Sequence, residues 1–160
     1  MTRFDLHAHP IAATPPLRLA PSGWIELTPL GMLLVDLIRP NTLVELGAHF
    51  GVSYCAFCQA IAALELPTKC WAVDTWLGDE FTSIYGQEVL DDLRAWHEPR
   101  YSAFSTLLPM TFHTAATCFA PASIDLLHVD GAHGYRSVSE DFATWLPRMR
   151  RRGGMLFHDI

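Results

Sequence analysis

The chain has 160 residues, of which 50% are hydrophobic and 18% are charged. This length fits one domain and excludes a (β/α)₈ barrel, which needs about 250 residues, and the composition excludes a disordered chain. The formal net charge of −6 argues against binding of nucleic acid, because such surfaces are basic. No apolar run reaches the ~20 residues of a membrane span, and the charged N-terminus lacks the apolar core of a signal peptide. We therefore expect a cytoplasmic protein that makes no contact with a membrane.

The first part of the chain differs in composition from the rest. Residues 1–23 are rich in proline and alanine and show no clear period, so we expect an extended and poorly ordered N-terminal arm. Residues 24–160 are predicted to form the folded domain. It opens with leucines at helical spacing over Pro29–Arg39, which predict a helix.

From Asn41 onward, short apolar runs typical of strands alternate with segments of helical spacing. The five predicted strands are Leu43–Leu46, Cys70–Val73, Thr106–Leu108, Ile124–Val129 and Met155–Phe157. Helices are predicted near residues 54–64, 87–96 and 137–149. This alternation predicts a doubly wound α/β domain with a parallel sheet, whose ligands bind at the carboxyl ends of the strands.

A loop with two glycines joins the first predicted strand to the helix that follows it. The loop runs from Glu45 through Gly47 and Gly51 to Ser53. Glycines allow the backbone to turn sharply and to approach a ligand closely. The spacing differs from the G-x-G-x-x-G pattern that holds a pyrophosphate, so it favours a ligand without phosphate. A structural turn that uses two glycines is the alternative.

Acidic residues follow three of the predicted strands. Asp74 ends the second strand, where a carboxylate can accept hydrogen bonds from both hydroxyls of a ribose. Asp130 and Asp159 end two neighbouring strands and could share a cation such as Mg²⁺. His133, if neutral, could act as a general base near pH 7. The alternative is that these polar residues only cap loops.

Four segments in this order carry a resemblance to a known family: VELGAHFGVS, AVDTW, IDLLHVDGAHGY and LFHDI. The stretch from Trp24 to Asp159 resembles the class I S-adenosylmethionine-dependent methyltransferases. More narrowly, it is similar to a small bacterial family with the pattern VELGxxxGVS, AVDTW, IDLLHVDGxHxY and FHD. The resemblance implies a Rossmann-like sheet of strand order 3-2-1-4-5. The usual sixth and seventh strands are lacking, and the exposed sheet edge that results favours a homodimer.

The resemblance also implies which residues bind the cofactor. The loop from Glu45 to Ser53 would hold the methionine part, Asp74 the ribose, and Trp76 would lie beside the nucleoside. Thr111, Phe112 and His113 are the candidates that flank the adenine. The predicted cofactor-binding residues are Glu45, Gly47, Ala48, Gly51, Ser53, Asp74, Trp76 and Asp130.

The remaining roles follow from similarity to enzymes like catechol O-methyltransferase. In those enzymes, acids at strand ends hold a divalent metal, and a basic residue three positions after the first acid deprotonates a hydroxyl. Here Asp130 and Asp159 are the predicted metal ligands, and Asp130 and His133 are the predicted catalytic residues. Ile160 stands where those enzymes often place another ligand.

The resemblance implies methyl transfer from S-adenosylmethionine, with or without Mg²⁺, to an oxygen atom of a small molecule or sugar. One alternative is a non-catalytic binding module, which the absence of the last two strands favours. The other is a nucleotide-dependent oxidoreductase, against which the absent third glycine of the loop argues.

Overall fold

The central element of the fold is a five-stranded parallel sheet. A computed structural model describes residues 4–79 and 83–159 of the chain. The strands are β1 (Thr42–Leu46), β2 (Lys69–Asp74), β3 (Ser105–Pro109), β4 (Ile124–Val129) and β5 (Met149–Phe157). They lie in the order β3-β2-β1-β4-β5, and every neighbouring pair is parallel. This confirms the predicted strand order 3-2-1-4-5.

Helices cover both faces of the sheet. They are α1 (Thr28–Ile38), α2 (Val52–Ala63), α3 (Gln87–Tyr101), α4 (Phe112–Ala116) and α5 (Tyr135–Trp145). The core on one face includes Phe57 of α2 and Leu93 of α3, whereas the core on the other face includes Ala115 of α4 and Trp145 of α5. Two short strands, Gly78–Asp79 and Ser83–Ile84, pair antiparallel outside the main sheet. Among the described residues, no helix has the length and apolar character needed to cross a bilayer.

The N-terminal arm differs from the expected extended segment in its described part, residues 4–23. It forms two 3₁₀ helices, Leu6–Ala8 and Pro10–Ala13, and packs against the domain. The amide of Gln59 on α2 holds it at two points, because Leu17 N donates to Oε1 (2.8 Å) and Nε2 donates to the Pro15 carbonyl (2.9 Å). These side-chain partners satisfy backbone groups of a segment that lacks regular hydrogen bonding.

Strand β5 is longer than its sequence pattern predicted, since it begins at Met149 rather than at Met155. Its first half contains three arginines, residues 150–152, which are exposed at the edge of the sheet. Charged side chains are common on edge strands, where they prevent pairing with other chains. The apolar pattern therefore identified only the second half of the strand.

Candidate functional site

Gly47 lies where the loop after β1 meets the end of β4. Its φ is 87°, in the left-handed region, and a Cβ added there would lie 2.0 Å from the Asp130 carbonyl oxygen. The two segments are fixed, because Gly47 N donates to the Val73 carbonyl (2.9 Å) and Asp130 N donates to the Leu46 carbonyl (2.8 Å). A residue with a side chain does not fit, so glycine is required for this contact.

Asp74, at the end of β2, joins the loops that follow β1 and β2. Its carboxylate accepts hydrogen bonds from His49 N (2.9 Å) and Trp76 N (2.8 Å), and the indole Nε1 of Trp76 donates to the His49 carbonyl (2.9 Å). The residue is only 7% exposed, yet it lines a cavity. Each carboxylate oxygen has a second acceptor site, so Asp74 can still bind hydroxyls of a ligand.

Two cavities open at the carboxyl ends of the strands. The first has a volume of about 300 Å³ and is lined by the ends of β1 to β4. The second, of about 140 Å³, lies between the glycine loop, residues 22–24 where the arm joins the domain, and the ends of β4 and β5. Gly47, His49 and Asp130 line both cavities. The two cavities therefore meet at the contact between Gly47 and Asp130.

Most of the predicted site residues line one of these cavities. Asp74, Thr111 and Phe112 line the first cavity, and the second is lined by Ala48, Gly51, Ser53, His133 and Asp159. His113 is not among the lining residues. The structure thus brings together the glycine loop, the ribose candidate and the two predicted catalytic residues.

Two predicted cofactor-binding residues lie beneath the cavities instead. Trp76 is buried, and its indole supports the glycine loop through the hydrogen bond to His49. Glu45 is fully buried; its Oε1 accepts a hydrogen bond from Ser53 Oγ and lies 2.9 Å from His128 Nδ1. Burial raises the pKa of Glu45, and the bonds from His128 and Ser53 only partly oppose this. Both residues thus support the glycine loop from below.

An imidazole that the sequence analysis did not single out pairs with Asp130. His158 Nδ1 lies 3.0 Å from Asp130 Oδ1, and His158 N donates to the Val129 carbonyl (3.2 Å). Asp159 Oδ2 is 3.6 Å from the same nitrogen, and its side chain is 67% exposed. No sequence pattern marks this pair, because it depends on the register of β4 and β5, which aligns Val129 with Phe157, the residues just before Asp130 and His158.

The donor set around Asp130 does not fit Mg²⁺. That ion requires near-octahedral oxygen ligands at short distance, whereas an imidazole nitrogen lies against the carboxylates of both Asp130 and Asp159. A second grouping, Glu45, His128 and Asp130, has ligand atoms within 4.8 Å of one another. In this grouping the His128 imidazole is fully buried and already pairs with the Glu45 carboxylate. Ile160, the remaining predicted position, lies outside the described residues.

Comparison with known proteins agrees with this geometry. The sheet order, the glycine loop and the cavities at the strand ends define a Rossmann-like domain of the methyltransferase class. This chain belongs to the family described as "Methyltransferase domain", which matches residues 44–160. It is 46% identical over 156 residues to the uncharacterized protein y4gI of Sinorhizobium fredii, a match that covers 97% of this chain and 17% of y4gI.

Solved structures show the same fold at low sequence identity. The SAM complex of TomG, an O-methyltransferase of tomaymycin synthesis from Streptomyces achromogenes, superposes with a TM-score of 0.65 at 14% identity, over 94% of this chain and 62% of TomG. The SAH-bound Podospora anserina methyltransferase PaMTH1 gives 0.63 at 17% identity, over 86% of this chain and 53% of PaMTH1. The chain thus spans a small part of y4gI and somewhat more than half of each solved chain.

Proposed function

We propose that this chain binds S-adenosylmethionine and transfers its methyl group to an oxygen atom of a small molecule. The observation that carries the proposal is the meeting of two cavities at Gly47 and Asp130, with Asp74 in the first of them. A first cavity of about 300 Å³ is of the size that binds small ligands, ~300–1,000 Å³. Membership of the methyltransferase domain family supports the same ligand.

The charges that line the cavities fit this cofactor better than a dinucleotide. Among the described residues, neither cavity is lined by a lysine or an arginine, and the lining includes Asp74 and Asp130. A pyrophosphate would meet carboxylates and no lysine or arginine there, whereas the sulfonium and ammonium groups of S-adenosylmethionine are cations. This argues against the oxidoreductase alternative.

Each cavity suits one half of the cofactor. In the first, Asp74 would accept hydrogen bonds from the ribose hydroxyls, and Thr111 and Phe112 would border the adenine. In the second, the glycine loop would hold the methionine part, and the N-terminus of α2 that follows it favours a carboxylate. The bound cofactor supplies an electrophilic methyl group. The residues of the chain align the acceptor and take its proton, and three imidazoles line the second cavity: His49, His133 and His158.

Calorimetric titration with S-adenosylhomocysteine tests the proposal. We expect a dissociation constant in the micromolar range, about 8 kcal/mol of binding free energy. Asp74→Asn should weaken binding at least tenfold, because a neutral amide is a poorer acceptor for two hydroxyls.

Asp125→Asn is the matched control. The Asp125 carboxylate also accepts two backbone hydrogen bonds, from Asn41 N and Thr42 N at 2.9 Å each, but it lies at the opposite end of the sheet. This variant should keep the wild-type affinity. A folded wild type that does not bind S-adenosylhomocysteine would contradict the proposal. Binding without methylation of any phenol or sugar, followed with S-adenosylmethionine, would favour the non-catalytic module.

A further inference from the structure

We infer that Arg18 of the N-terminal arm is a positioning residue for the cofactor, because it holds the glycine loop that borders the second cavity. The inference rests on the proposed function and deepens it, since it makes the arm a part of the cofactor site. The sequence placed every candidate site residue outside the arm. The consequence is that docking of the arm and binding of the cofactor strengthen each other.

The tip of the glycine loop is a turn that depends on contacts from outside the loop. Gly51 N donates to the Ala48 carbonyl (2.6 Å) and closes the turn. His49 within it has a φ of 46°, a left-handed value that is uncommon for a residue with a side chain. The hydrogen bonds described above hold His49 from the end of β2. The next carbonyl of the turn, that of Phe50, accepts a hydrogen bond from Arg18 Nε (3.1 Å). The turn is therefore held from β2 on one side and from the arm on the other.

The guanidinium of Arg18 is fixed before any ligand arrives. Arg18 is only 7% exposed, and burial of a charged group is unfavourable unless the group is paired and hydrogen-bonded. Its partners lie on α3: Nη2 donates to the Asp92 carboxylate, and the guanidinium carbon lies 5.7 Å from the centroid of the Trp96 ring. These two contacts leave Nε for the Phe50 carbonyl. Arg18 thus connects the arm, α3 and the glycine loop.

Beyond Arg18 the chain reaches the second cavity itself. Ser22, Gly23 and Trp24 line this cavity together with the glycine loop. Ser22 Oγ accepts a hydrogen bond from Trp24 N (3.0 Å), and the buried Trp24 ring packs against the Phe57 ring with the centroids 6.0 Å apart. Segment 18–24 is therefore fixed at both of its ends. Undocking at Arg18 would remove a partner of the glycine loop and loosen one wall of the cavity.

Thermodynamic linkage turns this arrangement into a quantitative expectation. The methionine part of the cofactor would rest on the glycine loop, so the cofactor would bind the docked conformation more tightly than the undocked one. The factor by which docking raises the affinity must equal the factor by which the cofactor favours docking. We expect this factor to be about tenfold, near the lower end of what one hydrogen bond from a charged donor contributes.

The chain provides a matched control in Arg100. Its guanidinium carbon lies 4.5 Å from the centroid of the same Trp96 ring, and its Nη1 donates to the Trp96 carbonyl (2.8 Å). Arg100 lines neither of the two cavities at the strand ends. Arg100→Ala therefore removes an arginine from the same aromatic ring without removing a contact of the glycine loop.

Hydrogen exchange of the ligand-free protein tests whether Arg18 holds the loop. The amides of His49 and Gly51 are both hydrogen-bonded, so their exchange reports opening of the turn. Arg18→Ala should speed their exchange about tenfold, in proportion to the lost contact, and Arg100→Ala should leave it as in the wild type. Equal exchange in Arg18→Ala and the wild type would overturn the inference, whether or not the protein binds a cofactor.

Calorimetry and limited proteolysis test the coupling. Arg18→Ala should raise the dissociation constant of S-adenosylhomocysteine about tenfold, and Arg18→Lys should lie between it and the wild type, because an ammonium keeps the charge but lacks the fork of donors. Saturating S-adenosylhomocysteine should slow thermolysin cleavage near the exposed Leu17 and Leu19 by the same factor in the wild type, and should have no effect on it in Arg18→Ala.

The outcomes separate this inference from the proposed function. Wild-type affinity in a folded Arg18→Ala, or cleavage of the wild-type arm that S-adenosylhomocysteine does not slow, would overturn the inference and leave the proposed function intact. Arg100→Ala that binds as weakly as Arg18→Ala would also overturn it, because the effect would then belong to α3 as a whole. A wild type that binds no S-adenosylhomocysteine removes the proposed function and the coupling with it, while hydrogen exchange still decides whether Arg18 holds the loop.

Discussion

Replacing Gly47 with alanine tests whether the junction of the two cavities depends on a left-handed residue without a side chain. The new Cβ would lie 2.0 Å from the Asp130 carbonyl oxygen and 3.0 Å from Gly131 N. Both are backbone atoms, so no side-chain rotation can relieve the contact. The strands would have to separate at the point where Asp130 N donates to the Leu46 carbonyl.

The cost can be estimated from two contributions. A left-handed alanine costs about 1–2 kcal/mol. Separation of the backbones weakens the hydrogen bonds that Gly47 N and Asp130 N donate, which costs about 1 kcal/mol for each bond. Strain in the displaced backbone adds to this cost. The sum is about 3–5 kcal/mol, which for a chain of this size lowers Tm by about 6–20 °C.

Thermal unfolding followed by circular dichroism measures this effect against two other glycines. In Gly154→Ala, the new Cβ would only contact Ile38 and Leu126 side chains at 3.6 and 3.7 Å, so its cost should stay below about 1 kcal/mol. Gly51→Ala should fall between the two, because φ is 75° but the clash at 2.5 Å is with the side chain of Leu93, which can move. The affinity for S-adenosylhomocysteine should fall most in Gly47→Ala. If Gly47→Ala unfolds at the same temperature as Gly154→Ala and binds as tightly, the assigned role of this junction is wrong.

Three further predictions concern regions around the site. Arg18→Ala should speed proteolysis of the N-terminal arm severalfold, because the Arg18 guanidinium donates to the Phe50 carbonyl; Arg136→Ala, which removes an exposed ion pair, should not. Burial raises the pKa of Glu45, so the wild-type free energy of unfolding should decrease as pH rises through that pKa, and urea unfolding of Glu45→Gln at several pH values should lack this decrease. Burial and the neighbouring Glu140 raise the pKa of Asp141 to about 6, so Asp141→Asn should gain stability relative to the wild type above pH 6, measured in the same way. If the free energy of unfolding of Glu45→Gln or of Asp141→Asn depends on pH in the same way as that of the wild type, the prediction for that residue is wrong.

The strands could be predicted because most of them are marked by a local signal, and their order was predicted from the resemblance to the class I methyltransferases. Two of the strands are apolar runs with a clear end. Gly47 follows the run Leu43–Leu46, and Asp130 follows the run Ile124–Val129. The first half of β5 had no such signal, since its arginines are exposed on an edge strand. The packing of the arm was missed for a related reason: its anchors, such as the contacts to Gln59, are single polar contacts without a period.

The contact between Asp130 and His158 could not be predicted from the sequence, because it depends on the register of the strands. The sequence shows two acids, Asp130 and Asp159, each after a buried strand, and their equivalence in the sequence favours a shared cation. In the structure they are not equivalent, because the Asp130 side chain is 15% exposed with its carboxylate 3.0 Å from His158 Nδ1, whereas the Asp159 side chain is 67% exposed with its carboxylate 3.6 Å from the same nitrogen. Which side chain lies against Asp130 depends on the register of β4 and β5, which align Val129 with Phe157, and the residue types at the two strand ends do not specify that register.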